Sequence, residues 1–193
     1  AFDAYGGNGG LSLGDTFYAE ELIYPLLMES SNDAAEALAE AAGREKFIAA
    51  MNGKAAEIGL VHTVFRDPSG LSKENVSTTV DLFVFARFLL KEHANIFAFT
   101  KLLLYELPAG DLRAWPRTLR NNNEFVRDGS RYLIGTKNGY TDDAAQTTLS
   151  LFALPVSESE TRRVAVVLLG SGNREGDVKT LLAYAGVGTL YEK

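Results

Sequence analysis

Tyr132-Leu-Ile-Gly-Thr-Lys137, Gln146-Thr-Thr-Leu-Ser-Leu-Phe-Ala-Leu154 and Arg163-Val-Ala-Val-Val-Leu-Leu-Gly170 read as three strands in succession. Each is rich in aliphatic, β-branched or aromatic residues and is bounded by turn formers. Val164 to Leu169 is one continuous apolar run, as expected of a strand covered on both faces. Pro155 to Thr161 is polar and reads as a hairpin loop, so the three strands form an antiparallel meander.

On either side of the meander the pattern is helical. Thr16 is placed to cap a helix with Glu20 and Glu21 early and Leu22, Ile23, Leu26 and Leu27 on its apolar face. Ser30 to Asn32 interrupt it and begin an Ala- and Glu-rich helix that Gly43 stops. Phe47, Ile48, Met51, Ala55 and Ile58 recur at helical spacing up to Gly59. Val61 to Phe65 reads as extended, and Asp67-Pro68-Ser69-Gly70 as a turn. Ser77 or Thr78 opens a helix through Leu82, Phe85, Ala86 and Leu89, and Asn95 to Leu103 reads as another. Residues 106–131 are polar, with two prolines and an Asn run, and read as mostly loop. Asp177 to Tyr184 reads as a closing helix, and residues 1–15 as Gly-rich loop or a strand remnant. Helices, then a meander, then a helix make an α+β domain with helices packed on an antiparallel sheet.

Composition narrows the chemistry. The 193 residues include no cysteine, which excludes disulfides, thiolate zinc sites and a cysteine nucleophile. His62 and His93 are the only histidines, so a multi-His metal site is excluded. The net charge is −6 and no dense Lys/Arg cluster exists, so nucleic acid is not the expected partner. No run of about 18 apolar residues is present to span a membrane.

Two short motifs stand out. Ser30-Ser31-Asn32 opens a helix, where Ser and Asn are favoured caps. Lys137-Asn138-Gly139 ends a strand, where Gly139 can let a ligand backbone come close. Between them lie Phe65-Arg66-Asp67-Pro68-Ser69-Gly70-Leu71-Ser72 and the Asn75, Ser77, Thr78, Thr79, Asp81 set; Gly139-Tyr140-Thr141-Asp142 follows. In this order and spacing the set resembles the D-alanyl-D-alanine carboxypeptidases, the low-molecular-mass penicillin-binding proteins of serine peptidase family S11. The likeness runs from about Gly10 to the C-terminus.

The resemblance implies a β-lactamase/transpeptidase-like fold and an acyl-enzyme mechanism that needs no metal or organic cofactor. It implies a peptidoglycan stem peptide ending in D-Ala-D-Ala as substrate, β-lactams as inhibitors, and a place outside the cytoplasmic membrane. Ser30 becomes a proton relay, Asn32 a partner of the substrate amide, and Lys137 a group that polarises Ser30 and attracts the terminal carboxylate. Asn138, Gly139, Tyr140 and Thr141 border the substrate, with the Tyr140 N–H as half of an oxyanion hole. Arg174 stands where the family can place a basic carboxylate contact.

The chain departs from the family pattern twice. Asn138 stands where the family has Thr, and its amide is longer than a hydroxyl. No serine has a lysine three residues later; Ser159 and Ser171 are followed at that spacing by Arg162 and Arg174, which stay protonated and cannot act as a base. The expectation is one incomplete domain over 1–193, lacking its N-terminal strands and nucleophile helix and inactive alone. The alternatives are a non-catalytic peptide-binding or regulatory homologue, or a β-lactamase- or esterase-like relative.

Overall fold

A computed structural model describes residues 11, 14–109, 116–157 and 160–187. The meander is β3 (Leu133–Thr141), β4 (Ala145–Pro155) and β5 (Thr161–Ser171), antiparallel in the order β3-β4-β5. Before it come α1 (Ile23–Met28), α2 (Asn32–Ala41), α3 (Arg44–Glu57), α4 (Thr79–Glu92), α5 (Ile96–Thr100), β1 (Leu104–Leu107), β2 (Arg117–Arg120) and α6 (Glu124–Arg127). After it come α7 (Arg174–Leu182) and a short π-helical turn, Ala183–Val187.

The period-2 alternation of β4 explains its layering. Phe152 and Leu154 face Phe125 of α6 and Val178 and Leu182 of α7, with Val166 of β5. Phe125 and Phe152 meet edge to face, ring centroids 6.2 Å apart. Leu149 and Leu151 point the other way, to Ala86 of α4 and Phe97 of α5. Helices therefore cover both faces of the meander, as its apolar content requires.

The segments between the two motifs are structural ties. Asn52 in α3 accepts from Phe65 N and donates to Phe65 O, both at 2.8 Å, fixing the following loop on the helix. Asp67 takes the N–H groups of Gly70 and Ser72 and the side chains of Ser69 and Asn75. Burial pushes its carboxyl up, but those donors outweigh it and hold it below the usual carboxylate range. Thr78 caps α4 through Asp81 N, and buried Asp81 accepts from His62 N and Thr63 Oγ1.

Three expectations are corrected. Thr16 caps no helix; residues 19–22 are turns and α1 begins at Ile23. A helix running through Glu21 would need an N–H at residue 25, and Pro25 has none. The helix expected over 95–103 ends at Thr100, because Leu104–Leu107 leaves to pair with Arg117–Arg120. Residues 106–131 thus hold a hairpin and α6 rather than loop alone; Leu107 and Leu119 are buried with Met28. That pairing is non-local, so local polarity concealed it. Most of residues 1–15, and Trp115, fall outside the described residues.

Gly135 marks a tight passage. A Cβ there would lie 2.9 Å from both Cβ and Cγ of Phe97, where β3 crosses α5. The β3–β4 register also shifts between Leu133 and Gly135. Gly135→Ala is expected to destabilise the fold by about 2 kcal/mol through overpacking, measured by urea unfolding.

Candidate active site

Ser30 sits at the α1–α2 junction with φ +56°, a left-handed conformation that costs a non-glycine residue about 1–2 kcal/mol. Four hydrogen bonds hold the chain there. Ser31 N donates to Pro25 O at 3.0 Å, closing α1. Ser31 Oγ, fully buried, caps α2 by accepting from Ala34 N at 3.1 Å. Asn122 N donates to Met28 O, and Asn122 Nδ2 to Glu29 O. The cap of α2 is therefore the middle residue of Ser30-Ser31-Asn32. Ser30 precedes the helix and Asn32 is its first residue.

Lys137 reaches this junction from β3. Its Nζ donates to Ser30 Oγ at 2.5 Å and to Asn138 O at 2.8 Å. The two partners lie 107 positions apart, so this contact exists only in the folded chain. Burial of the ammonium and then the nearby Arg174 charge pull Lys137 down to about 8. A lysine so shifted exchanges its proton near neutral pH.

Alternation along β3 sends Asn138 to the opposite face from Lys137. There Asn138 Nδ2 donates to Glu124 Oε2 at 2.6 Å, and Asn138 Oδ1 accepts from Thr148 Oγ1 at 2.8 Å. Behind it runs a row of buried polar groups. Asn123 Nδ2 donates to Thr136 Oγ1 at 3.0 Å, and the Thr136, Ser150 and Thr148 hydroxyls follow at 2.8 Å steps. Because Thr148 donates to Asn138, the hydroxyl protons all point one way, towards Glu124.

Glu124 is paired with Arg174. Nε donates to Oε1 at 2.8 Å and Nη2 to Oε2 at 3.2 Å. Nη1 donates to Gly139 O at 3.1 Å and Thr147 O at 3.3 Å. The β4–β5 register shifts between Gln146 and Thr148, so Arg174 serves the Thr147 carbonyl where the ladder is irregular. Burial pushes the Glu124 carboxyl up, but the Arg174 hydrogen bonds and charge outweigh it and hold it low. Arg174 is thus the first residue of α7, held in a part-buried ion pair.

Gly139 is needed sterically, since a Cβ would meet Thr147 Oγ1 at 2.7 Å. Tyr140 is 65% exposed, and its hydroxyl donates to Asp142 at 3.1 Å. Thr141 Oγ1 accepts from Ala144 N and shapes the β3–β4 turn. β3 is an edge strand among the described residues, so its outer backbone groups can pair with an extended chain.

The structure brings Lys137 to Ser30 on one face of β3 and Asn138 to the Glu124–Arg174 pair on the other, with Gly139 next along the strand and Asn32 two residues after Ser30. Tyr140 and Thr141 sit at the hairpin end of the same strand. Sequence reasoning missed Glu124. Its signal was present, since an Asn followed by an acid is a helix start, but it lay in a stretch read as loop. Among the described residues no three His, Asp or Glu side chains gather as metal ligands.

Residues 8–172 match the family model described as D-alanyl-D-alanine carboxypeptidase. The chain is 36% identical over 126 residues to a D-alanyl-D-alanine endopeptidase of Haemophilus influenzae, covering 64% of this chain and 42% of that protein. It is 31% identical over 169 residues to the D-alanyl-D-alanine carboxypeptidase DacF of Bacillus subtilis, covering 86% and 41%. The chain therefore spans less than half the length of these curated relatives. The fold is similar to the crystal structure of a D-alanyl-D-alanine carboxypeptidase from Mycobacterium tuberculosis, with a TM-score of 0.80 and 26% identity over 96% of this chain and 70% of that one. By fold, by motif order and by sequence, the chain belongs to the D-alanyl-D-alanine carboxypeptidase family.

Proposed function

We propose that these residues form the substrate-binding wall of a serine-type D-Ala-D-Ala carboxypeptidase, acting on peptidoglycan stem peptides outside the cytoplasmic membrane. The observation that carries the reading is the Lys137 Nζ–Ser30 Oγ contact beside the open edge of β3. An extended peptide pairs with that edge as an added strand. Lys137 polarises the Ser30 hydroxyl, which relays a proton to the leaving amine. Asn32 holds the substrate amide from the first turn of α2. The Tyr140 N–H contributes one oxyanion donor, and the N–H of the attacking serine the other.

The attacking serine and its lysine are supplied by a segment outside these 193 residues. The acyl-enzyme forms when that serine's oxygen attacks the penultimate D-Ala carbonyl and the terminal D-Ala leaves as an amine. Water then releases the shortened peptide. β-Lactams enter as substrate mimics and stop at the acyl stage. The chemistry calls for no metal or organic cofactor. No helix among the described residues is long and apolar enough to cross a membrane.

Labelling with a fluorescent penicillin tests the reading. The 193-residue chain is expected to remain unlabelled, and the complete gene product to be labelled. Stable covalent labelling of the short chain would refute the placement of the nucleophile, and no labelling of the complete gene product would refute the activity.

Lys137 gives a pH test. In the unfolded chain it titrates at its ordinary 10.5, and in the fold at about 8. Between those values the unfolded chain binds more protons, so stability should rise with pH across that window. Below about pH 8 both states hold the proton and the cost of the buried ammonium is felt in full. Lys137→Met is expected to flatten the rise, measured by urea unfolding at a series of pH values from 7 to about 10.5.

A further inference from the structure

Two cations are tied to successive carbonyls of β3. Lys137 Nζ donates to Asn138 O at 2.8 Å, and Arg174 Nη1 donates to Gly139 O at 3.1 Å. Lys137 has no carboxylate partner among the described residues; its second hydrogen bond goes to the Ser30 hydroxyl. The elements packed around it leave few charges to consider. β4 and α5 bring no ionisable side chain. Glu29, at the end of α1, accepts from Arg120 N and faces Arg117. Asp33 is buried in the first turn of α2, and Arg127 of α6 is exposed. Glu175 and Asp177 of α7 are taken by Lys179 and Ser171. Glu124 is the carboxylate set against the second cation. It takes Nε and Nη2 of Arg174 as a bidentate pair, and the Asn138 amide as well.

We propose that Glu124 is a positioning residue for Lys137: by matching the Arg174 charge and holding Asn138, it lets an ammonium stand on Ser30 beside a second cation. The consequence for catalysis rests on the peptidase reading above; the charge arrangement does not. Burial and then the Arg174 charge already pull Lys137 down to about 8. With Glu124 in place, Arg174 presents one end of an ion pair rather than a bare charge. Without that carboxylate, the unmatched guanidinium favours further loss of the Lys137 proton. A neutral lysine is a weaker donor to Ser30 Oγ, so the hydroxyl is polarised less. Geometry acts in the same sense. Glu124 Oε2 accepts from both Asn138 Nδ2 and Arg174 Nη2, so one carboxylate oxygen fixes the residue whose carbonyl seats Lys137.

The test follows the Lys137 proton in the complete gene product, by the ¹³Cε resonance of labelled lysine, assigned through its loss in Lys137→Met. Glu124→Gln keeps the shape and removes the charge, and is expected to lower the titration midpoint by about half a pH unit or more. Glu124→Asp keeps the charge on a shorter stem, and is expected to hold the midpoint within about 0.2 pH units of wild type. A purely structural role predicts the reverse order, since the shorter side chain disturbs the packing more than the isosteric one. A midpoint that Glu124→Gln does not lower, or that Glu124→Asp lowers as much, overturns the proposal. If Glu124→Gln does not fold, the double variant Glu124→Gln/Arg174→Gln takes its place, because it leaves no lone charge behind. Its midpoint is expected at or above that of wild type, and a lower one overturns the proposal. The rate of acylation by penicillin over the same pH range reads the chemistry. Its fall on the basic side is expected to move down in Glu124→Gln by the same shift as the midpoint, and a fall that stays in place while the midpoint moves overturns the role in catalysis. No labelling of the wild-type protein at any pH overturns the peptidase reading, and the midpoints alone then decide the charge arrangement.

Discussion

A row of polar side chains running from the start of α6 through β3 and β4 holds the site in register. Asn123, Thr136, Ser150, Thr148 and Asn138 pass hydrogen bonds from one to the next and end on Glu124. Ser150 is fully buried, and Thr136 and Thr148 nearly so. Groups so placed are costly unless each finds a partner, so the register that satisfies them is strongly preferred over a slip. That register sets Lys137 opposite Leu149 and Gly139 opposite Thr147.

The helical layer is tied to the same region by backbone hydrogen bonds. Asn121 donates to Thr100 O and Leu102 O and accepts from Asn123 N. Asn122 holds the carbonyls of Met28 and Glu29, the two residues before Ser30. The Asn121-Asn122-Asn123 run thus carries position from the sheet to the Ser30 turn. The Lys137–Ser30 contact bridges what this run has already brought close. The strained φ of Ser30 persists because capping at Ser31 and the closing bonds of α1 over-determine it.

Much of this was legible in the chain and some was not. The meander read correctly because its apolar content is local and its turn formers are distinct. The Ser30-Ser31-Asn32 and Lys137-Asn138-Gly139 motifs stood out only in combination, because the order and spacing of the segments between them carry the family resemblance. The β1–β2 hairpin did not, since two four-residue strands gain their meaning only by pairing across a long connection. The start of α1 was misplaced because Thr16 and two acids suggested a cap, while Pro25 ruled it out. Glu124 was lost inside a polar stretch, because its role depends on partners 14 and 50 positions away.

The sequence by itself determined the family, the layer architecture and the residue types available for chemistry. The family resemblance lies in the order and spacing of the motifs, the layers in periodicity and the residue types in composition, all properties of the chain alone. Only the tertiary structure decided how the site is charged. It placed Lys137 against Ser30 and lowered its pKa by burial and by Arg174. It made Arg174 half of an ion pair with Glu124. The physical reason is that electrostatic environment depends on distance and burial, and neither is written in the order of residues until the chain has folded.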